Sequence, residues 1–150
     1  MKFEEKIAQL QLVYRHQHDL SNKISGASFA EERGHLDEEG KKELEVMIIQ
    51  YNKLEEEQIT LRDQIKNNFS KEYDLHLSSI QKKLTTIQDY LNGLSKEIEF
   101  KHSFNKTITK SLLGNLKNHI QGKKIDSTLP WLFDVASTII EEYRVTLKLS

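Results

Sequence analysis

An unbroken heptad pattern of apolar residues runs through the middle third of the chain. Its members alternate spacings of four and three, without a charged or amide residue at any of these positions: Tyr73, Leu77, Ile80, Leu84, Ile87, Leu91, Leu94 and Ile98. We call this set the central seam. The spacing places all members on one stripe of a single helix roughly 40–45 Å long, which must be buried against other helices. The central seam therefore predicts architecture, and it does not by itself predict a function.

Apolar residues at helical spacing predict further helices on both sides of the central seam. The predicted elements form a single helical domain in the order helix 2–24, connection 25–39, helix 40–67, helix 70–100, helix 105–121 and helix 129–147. The stretch 25–39 is interpreted as a connection because it is polar and contains Gly26 and Gly34. The short turn after residue 67 predicts a long antiparallel hairpin over 40–98. The predicted fold class is all-α, an elongated helical bundle with a coiled-coil-like hairpin.

Composition agrees with long helices and adds several exclusions. Apolar residues make up 37% of the chain and charged residues 30%, which favours a bundle with much solvated surface. There is no cysteine, so disulfides and Cys-ligated zinc are excluded. The sequence has neither the apolar core of a signal peptide nor an apolar run of the about 18 residues that a bilayer span needs. These features predict a cytoplasmic protein without membrane insertion.

Charge is segregated along the chain. Residues 31–57 contain ten acidic and four basic residues. Residues 101–124 contain no acidic residue and six lysines: Lys101, Lys106, Lys110, Lys117, Lys123 and Lys124. Such segregation fits three interpretations, namely attraction between helices of one bundle or dimer, an acidic protein partner, or nucleic acid. The absence of arginine from 101–124 weighs against nucleic acid, because the arginine fork recognises phosphate and base edges better than lysine does.

Two groups of large apolar residues could be either buried in the core or exposed for a partner. Trp131, Leu132 and Phe133 are consecutive, and one helix face cannot bury all three together. We therefore take Trp131 and Phe133, with the six lysines, as candidate partner-binding residues, while Trp131 could instead cover the loop 122–129. Phe100 and Phe104 lie beside the central seam, and we expect them to pack in the core.

Candidate chemistry is sparse. His16 and His18 are two residues apart and point away from each other on a helix, so they cannot share a metal ion. We expect no metal, no cofactor and no catalytic residue. His18-Asp19, followed by Asn22, resembles the phosphoacceptor box of sensor histidine kinases, in which an exposed histidine lies on a two-helix dimerising hairpin beside an acidic residue. The resemblance implies phosphotransfer at His18, although the sequence contains no Gly-rich nucleotide loop.

These observations rank three functional hypotheses. The first is a non-enzymatic helical interaction module, an adaptor, chaperone-like protein or regulatory partner that acts by helix packing and charge complementarity. Because long helices outrun what their neighbours can cover, we expect a homodimer or a hetero-complex with a protein partner. The alternative is a nucleic-acid-associated accessory factor that uses the basic segment 101–124. The third hypothesis is phosphotransfer at His18.

Overall fold

A computed structural model describes residues 2–94, 100–122 and 125–149. Within these ranges the chain forms five α-helices and no strand: α1 (Phe3–Glu32), α2 (Glu38–Asn68), α3 (Ser70–Asn92), α4 (Phe100–Gly122) and α5 (Leu129–Tyr143). The predicted all-α fold class is confirmed. No helix in the described ranges has both the length and the apolar character needed to cross a bilayer.

The chain divides into two compact units. The N-terminal unit extends to Ile65 and contains α1 and nearly all of α2, and the C-terminal unit begins at Lys66 and contains α3, α4 and α5. The proposed single domain and the coiled-coil-like hairpin over 40–98 stay predictions, since α2 and α3 lie in different units.

Helix α1 continues eight residues beyond its predicted end. The expected connection over 25–39 is wrong, because only residues 33–37 separate α1 from α2. A single glycine costs a helix only about 1 kcal/mol, and the residues after Gly26 include the strong helix former alanine. Helix α1 ends at Glu32, and Gly34, two residues later, has φ +72°. There the His35 N–H donates to the Ala30 carbonyl at 2.8 Å, in the hydrogen-bond pattern of a Schellman motif.

Helices α1 and α2 pack as an antiparallel pair within the N-terminal unit. The antiparallel orientation is seen in three side-chain contacts between the helices: Lys6 with Gln64, Gln9 with Glu57 at 3.0 Å and Gln17 with Glu55 at 2.8 Å. The core of this unit lies along α1 from Phe3 to Leu20, with these buried residues: Phe3, Ile7, Leu10, Val13, Gln17 and Leu20. Toward the turn the core is thin, because Leu44 is the one buried residue between residues 21 and 57, all of which are described.

The C-terminal unit is a three-helix bundle in which α3, α4 and α5 contact one another pairwise. The central seam supplies its core, since all six of its members on α3 are buried: Tyr73, Leu77, Ile80, Leu84, Ile87 and Leu91. The prediction of one helix over 70–100 is wrong, because α3 ends at Asn92 with Gly93 as its C-cap. Leu94 comes directly after this cap and is half-buried, and Ile98 lies outside the described residues.

The two remaining helices also differ from their predicted bounds. Helix α4 begins at Phe100 rather than at residue 105. Helix α5 ends at Tyr143 rather than at residue 147, and Lys148 adopts φ +51° in the turns after it. The buried face of α5 stops at Tyr143 while Val145 is 87% exposed, so packing does not favour a further helical turn.

Candidate partner-binding surface

The inner face of α4 is more polar than its apolar pattern predicts. Its buried residues are Asn105, Thr109, Leu112, Leu116 and His119, which again alternate spacings of four and three. Apolar spacing alone selects Ile108 and Ile120 instead, and both are only half-buried. A heptad pattern that also allows polar residues identifies the inner face of α4, because its buried residues keep heptad spacing.

A polar cluster fixes the first half of α4 against α5. The Asn105 side-chain amide donates to Glu142 Oε2 at 2.9 Å and to the Tyr143 hydroxyl at 3.0 Å. The Tyr143 hydroxyl also lies 2.8 Å from His102 Nδ1, and Lys101 forms an ion pair with Glu142 at 2.7 Å. Burial raises the pKa of Tyr143 above its ordinary value.

A second polar cluster fixes the last turn of α4. The buried His119 places Nε2 at 3.2 Å from Thr128 Oγ1 and at 3.8 Å from an Asp126 carboxylate oxygen. The same carboxylate accepts hydrogen bonds from the Thr128 backbone N–H at 2.9 Å and from its hydroxyl at 2.6 Å. Burial, followed by the nearby carboxylates of Asp126 and Asp74, raises the pKa of Tyr73. With polar contacts at both ends, α4 has one rotational position about its axis.

This rotation turns three of the candidate lysines outward. Lys106, Lys110 and Lys117 are exposed and lie within about 40° of one another at 100° per residue. We call these three residues the lysine stripe. No member of it forms an ion pair within the described part of the chain, whereas Lys101 is paired with Glu142. The remaining two candidates, Lys123 and Lys124, lie outside the described residues.

Two exposed phenylalanines lie on α4, on a different face from the lysine stripe. Phe100 is 84% and Phe104 55% exposed, and their rings are stacked with centroids 6.3 Å apart. The expectation that they pack in the core is therefore wrong. The buried face of α4 begins at Asn105, and one residue of offset turns Phe104 about 100° away from that face. The pair lies about a third of a turn round the helix from the lysine stripe.

The two aromatic candidates on α5 have different surroundings. Phe133 is 1% exposed and makes an edge-to-face contact with His76, with ring centroids 5.1 Å apart. Phe133 is a core residue, since the inner face of α5 includes both Leu132 and Phe133. Its assignment as a partner-binding residue is therefore wrong. Trp131 is half-buried and stays a candidate.

The candidate phosphoacceptor lies in the N-terminal unit. His18 is exposed on α1, with its ring stacked 6.0 Å from that of Tyr14, and Asp19 and Asn22 are also exposed. Among the described residues there is no cluster of three or more potential metal-ligating side chains. Phosphotransfer at His18 stays a hypothesis.

No protein-family model, no curated protein and no solved structure matches this chain. Its function is therefore inferred from the geometry of its own residues. The candidate binding surface consists of the exposed, charged lysine stripe and the exposed, apolar Phe100–Phe104 pair. Trp131 on α5 is a further apolar candidate and is half-buried.

Proposed function

We propose that this protein is a non-enzymatic helical interaction module that binds an acidic helical partner protein through the outer face of α4. The observation that carries the proposal is the lysine stripe, whose three charges form no ion pair within the described residues. The polar clusters at Asn105 and His119 hold these charges on one face. A fixed row of like charges attracts an oppositely charged surface and raises its rate of association.

The exposed phenylalanines would supply the apolar part of such an interface. Exposed aromatic side chains commonly anchor a partner, because they bury a large apolar area. Phe100 and Phe104 meet this description, and a helix seated along α4 would contact them together with Lys106 and Lys110. Acidic residues on one side of that helix and apolar residues on the other would match the two parts of the surface.

One observation favours nucleic acid as a second candidate ligand. The stacked, exposed Phe100–Phe104 pair beside lysines could accept unpaired bases, since base–aromatic stacking contributes about 1–3 kcal/mol per base. Residues 101–124 nevertheless contain no arginine, so the residue best suited to phosphate recognition is missing. We therefore rank the acidic protein partner first.

Fluorescence anisotropy with the full-length protein tests this proposal. The probes are a synthetic amphipathic helical peptide rich in Glu and Leu and a mixed-sequence single-stranded oligonucleotide. We expect peptide affinity to fall at least about tenfold in the variant K106E/K110E/K117E, because three exposed charge pairs become repulsive. The control K71E/K82E reverses two exposed lysines on α3 and should leave the affinity unchanged.

The salt dependence distinguishes the two ligands. Oligonucleotide binding should weaken with a log–log slope of about 0.7 per neutralised phosphate. Tight oligonucleotide binding that is lost in F100A/F104A, without peptide binding, would favour the nucleic-acid function. Peptide binding that is unaffected by K106E/K110E/K117E would contradict a role for the lysine stripe.

A further inference from the structure

On the outward face of α2, charged residues at equal distances before and after Ile49 have opposite signs. Lys42 and Glu45 lie seven and four residues before Ile49, and Lys53 and Glu56 lie four and seven residues after it. At 100° per residue, all five positions lie within about 80° of one another round the helix. The four charged residues are exposed, and none of them forms an ion pair within the described part of the chain.

This face is not used by the packing of α1 against α2. Leu44, which is buried in that packing, points about 140° away from Ile49 round the helix. Val46 and Ile49 are 53% and 55% exposed, although both are aliphatic. The face therefore has an exposed apolar centre with charges on both sides along the helix.

We propose that two copies of this chain associate through an antiparallel contact between their α2 helices, with the two-fold axis at Ile49. Equal distances from the axis bring residues to the same height on the two helices. Lys42 then faces Glu56 of the second copy, and Glu45 faces Lys53 of the second copy. The Ile49 side chains meet at the axis. Every ion pair occurs twice, as a two-fold interface requires.

The charge pattern selects both the occupant and its orientation. A parallel pair would place Lys42 beside Lys42 and Glu45 beside Glu45, where like charges repel. An unrelated helix would need the opposite charge at all four positions, which the second copy supplies by symmetry. The exposed Val46 and Ile49 give a further reason, because a second copy would cover apolar surface that the packing of α1 against α2 leaves exposed.

The interface is small, so the dimer should be weak. Its apolar centre consists of Val46 and Ile49 from each copy, and the rest is exposed ion pairs. We expect dissociation constants on the order of micromolar or weaker, with affinity that falls as salt screens the charges. None of the α4 residues takes part, so this inference is independent of the proposed function.

Sedimentation equilibrium of the full-length protein tests the association. The variant K42E/K53E makes the face wholly acidic and should weaken the dimer at least about tenfold. The variant K42E/E45K/K53E/E56K inverts every charge and keeps the antiparallel complementarity, so it should restore dimerisation to within about threefold of the original. Circular dichroism checks that both variants remain helical.

Cross-linking locates the axis. The chain has no cysteine, so I49C creates a single thiol that should form a disulfide between copies, because residues on a two-fold axis face each other. The matched control is I59C, at an exposed isoleucine of the same helix that lies off this face. The inference is overturned by a strictly monomeric protein, by equal cross-linking of I49C and I59C, or by a dimer insensitive to K42E/K53E. It is also overturned if K106E/K110E/K117E abolishes the dimer, because the contact would then involve α4.

Discussion

Asn105 shows how one side chain can decide which surface a helix presents. Its amide donates to both Glu142 and Tyr143 from a position that is 5% exposed. Rotation of α4 by one residue would remove both hydrogen bonds and leave polar atoms buried without partners, which is more costly than the bonds themselves are stabilising. The outward direction of the lysine stripe therefore depends on a residue of the buried face of α4.

Replacing Asn105 should lower the free energy of unfolding. We expect N105A to cost about 1–3 kcal/mol, because Glu142 and Tyr143 each lose a buried donor. The matched control is N118A, an exposed asparagine on the same helix, which gains the same helix propensity without losing a buried contact. Urea unfolding followed by circular dichroism gives both values. Equal effects of N105A and N118A would contradict the role assigned to Asn105.

At the scale of the element, α1 demonstrates that a glycine does not by itself end a helix. Gly26 lies within α1, while Gly34 ends it with a positive φ. The two residues look alike in the sequence, and they differ in backbone conformation, since only Gly34 has a positive φ and lies in the Schellman motif. After Gly26 the half-buried Ala27 and Ala30 both continue the helix, whereas after Gly34 the chain turns toward α2.

Glycine substitutions should therefore have opposite effects in α1. G26A should raise the free energy of unfolding by about 0.5–1 kcal/mol, since a Cβ there meets no atom within 4 Å and alanine favours the helix. G34A should lower it, because φ +72° is unfavourable for alanine. Urea midpoints of the two variants provide the measurement. Destabilisation by G26A would mean that α1 is broken at this residue.

The same helices show what their sequence could and could not predict. The central seam was found correctly from Tyr73 to Leu91, because apolar spacing reports directly which residues a helix buries. The end of α3 was missed, since the seam continues through Leu94 while Gly93 caps the helix. On α4 the sequence selects the lysines only as candidates and leaves their partner open. It does not predict the inner face, because Asn105 and His119 are buried through specific polar partners that spacing cannot identify.

At the scale of the whole molecule, the two units distribute apolar burial and charge unequally. The acidic excess over 31–57 lies in the N-terminal unit, in the part where Leu44 is the one buried residue. The C-terminal unit contains the central seam and the lysine stripe. Each unit thus presents its own surface, one acidic and thinly packed, the other basic and built on a full three-helix core.

Local stability should depend on this distribution. Amide hydrogens over 21–32 and 45–57 should exchange at least about tenfold faster than those of α3 over 73–91, because few buried side chains oppose local opening there. Hydrogen exchange measured by mass spectrometry tests this, at a protein concentration low enough that self-association does not protect α2. Equal protection of both units would show that the N-terminal unit is packed more tightly than its burial indicates.

The buried amide pair between α1 and α2 has a consequence for refolding. Gln58 Nε2 donates to Gln17 Oε1 at 2.6 Å, and both side chains are buried between the two helices. A shift of α2 along α1 by one heptad would place the Gln58 amide against Leu10 or Ile24, whose side chains have no hydrogen-bonding group. A single alignment of the two helices thus gives both amides a polar neighbour. Although α1 and α2 share a small apolar core, we therefore expect the protein to refold from denaturant with one alignment of these two helices, and not as a mixture of alignments.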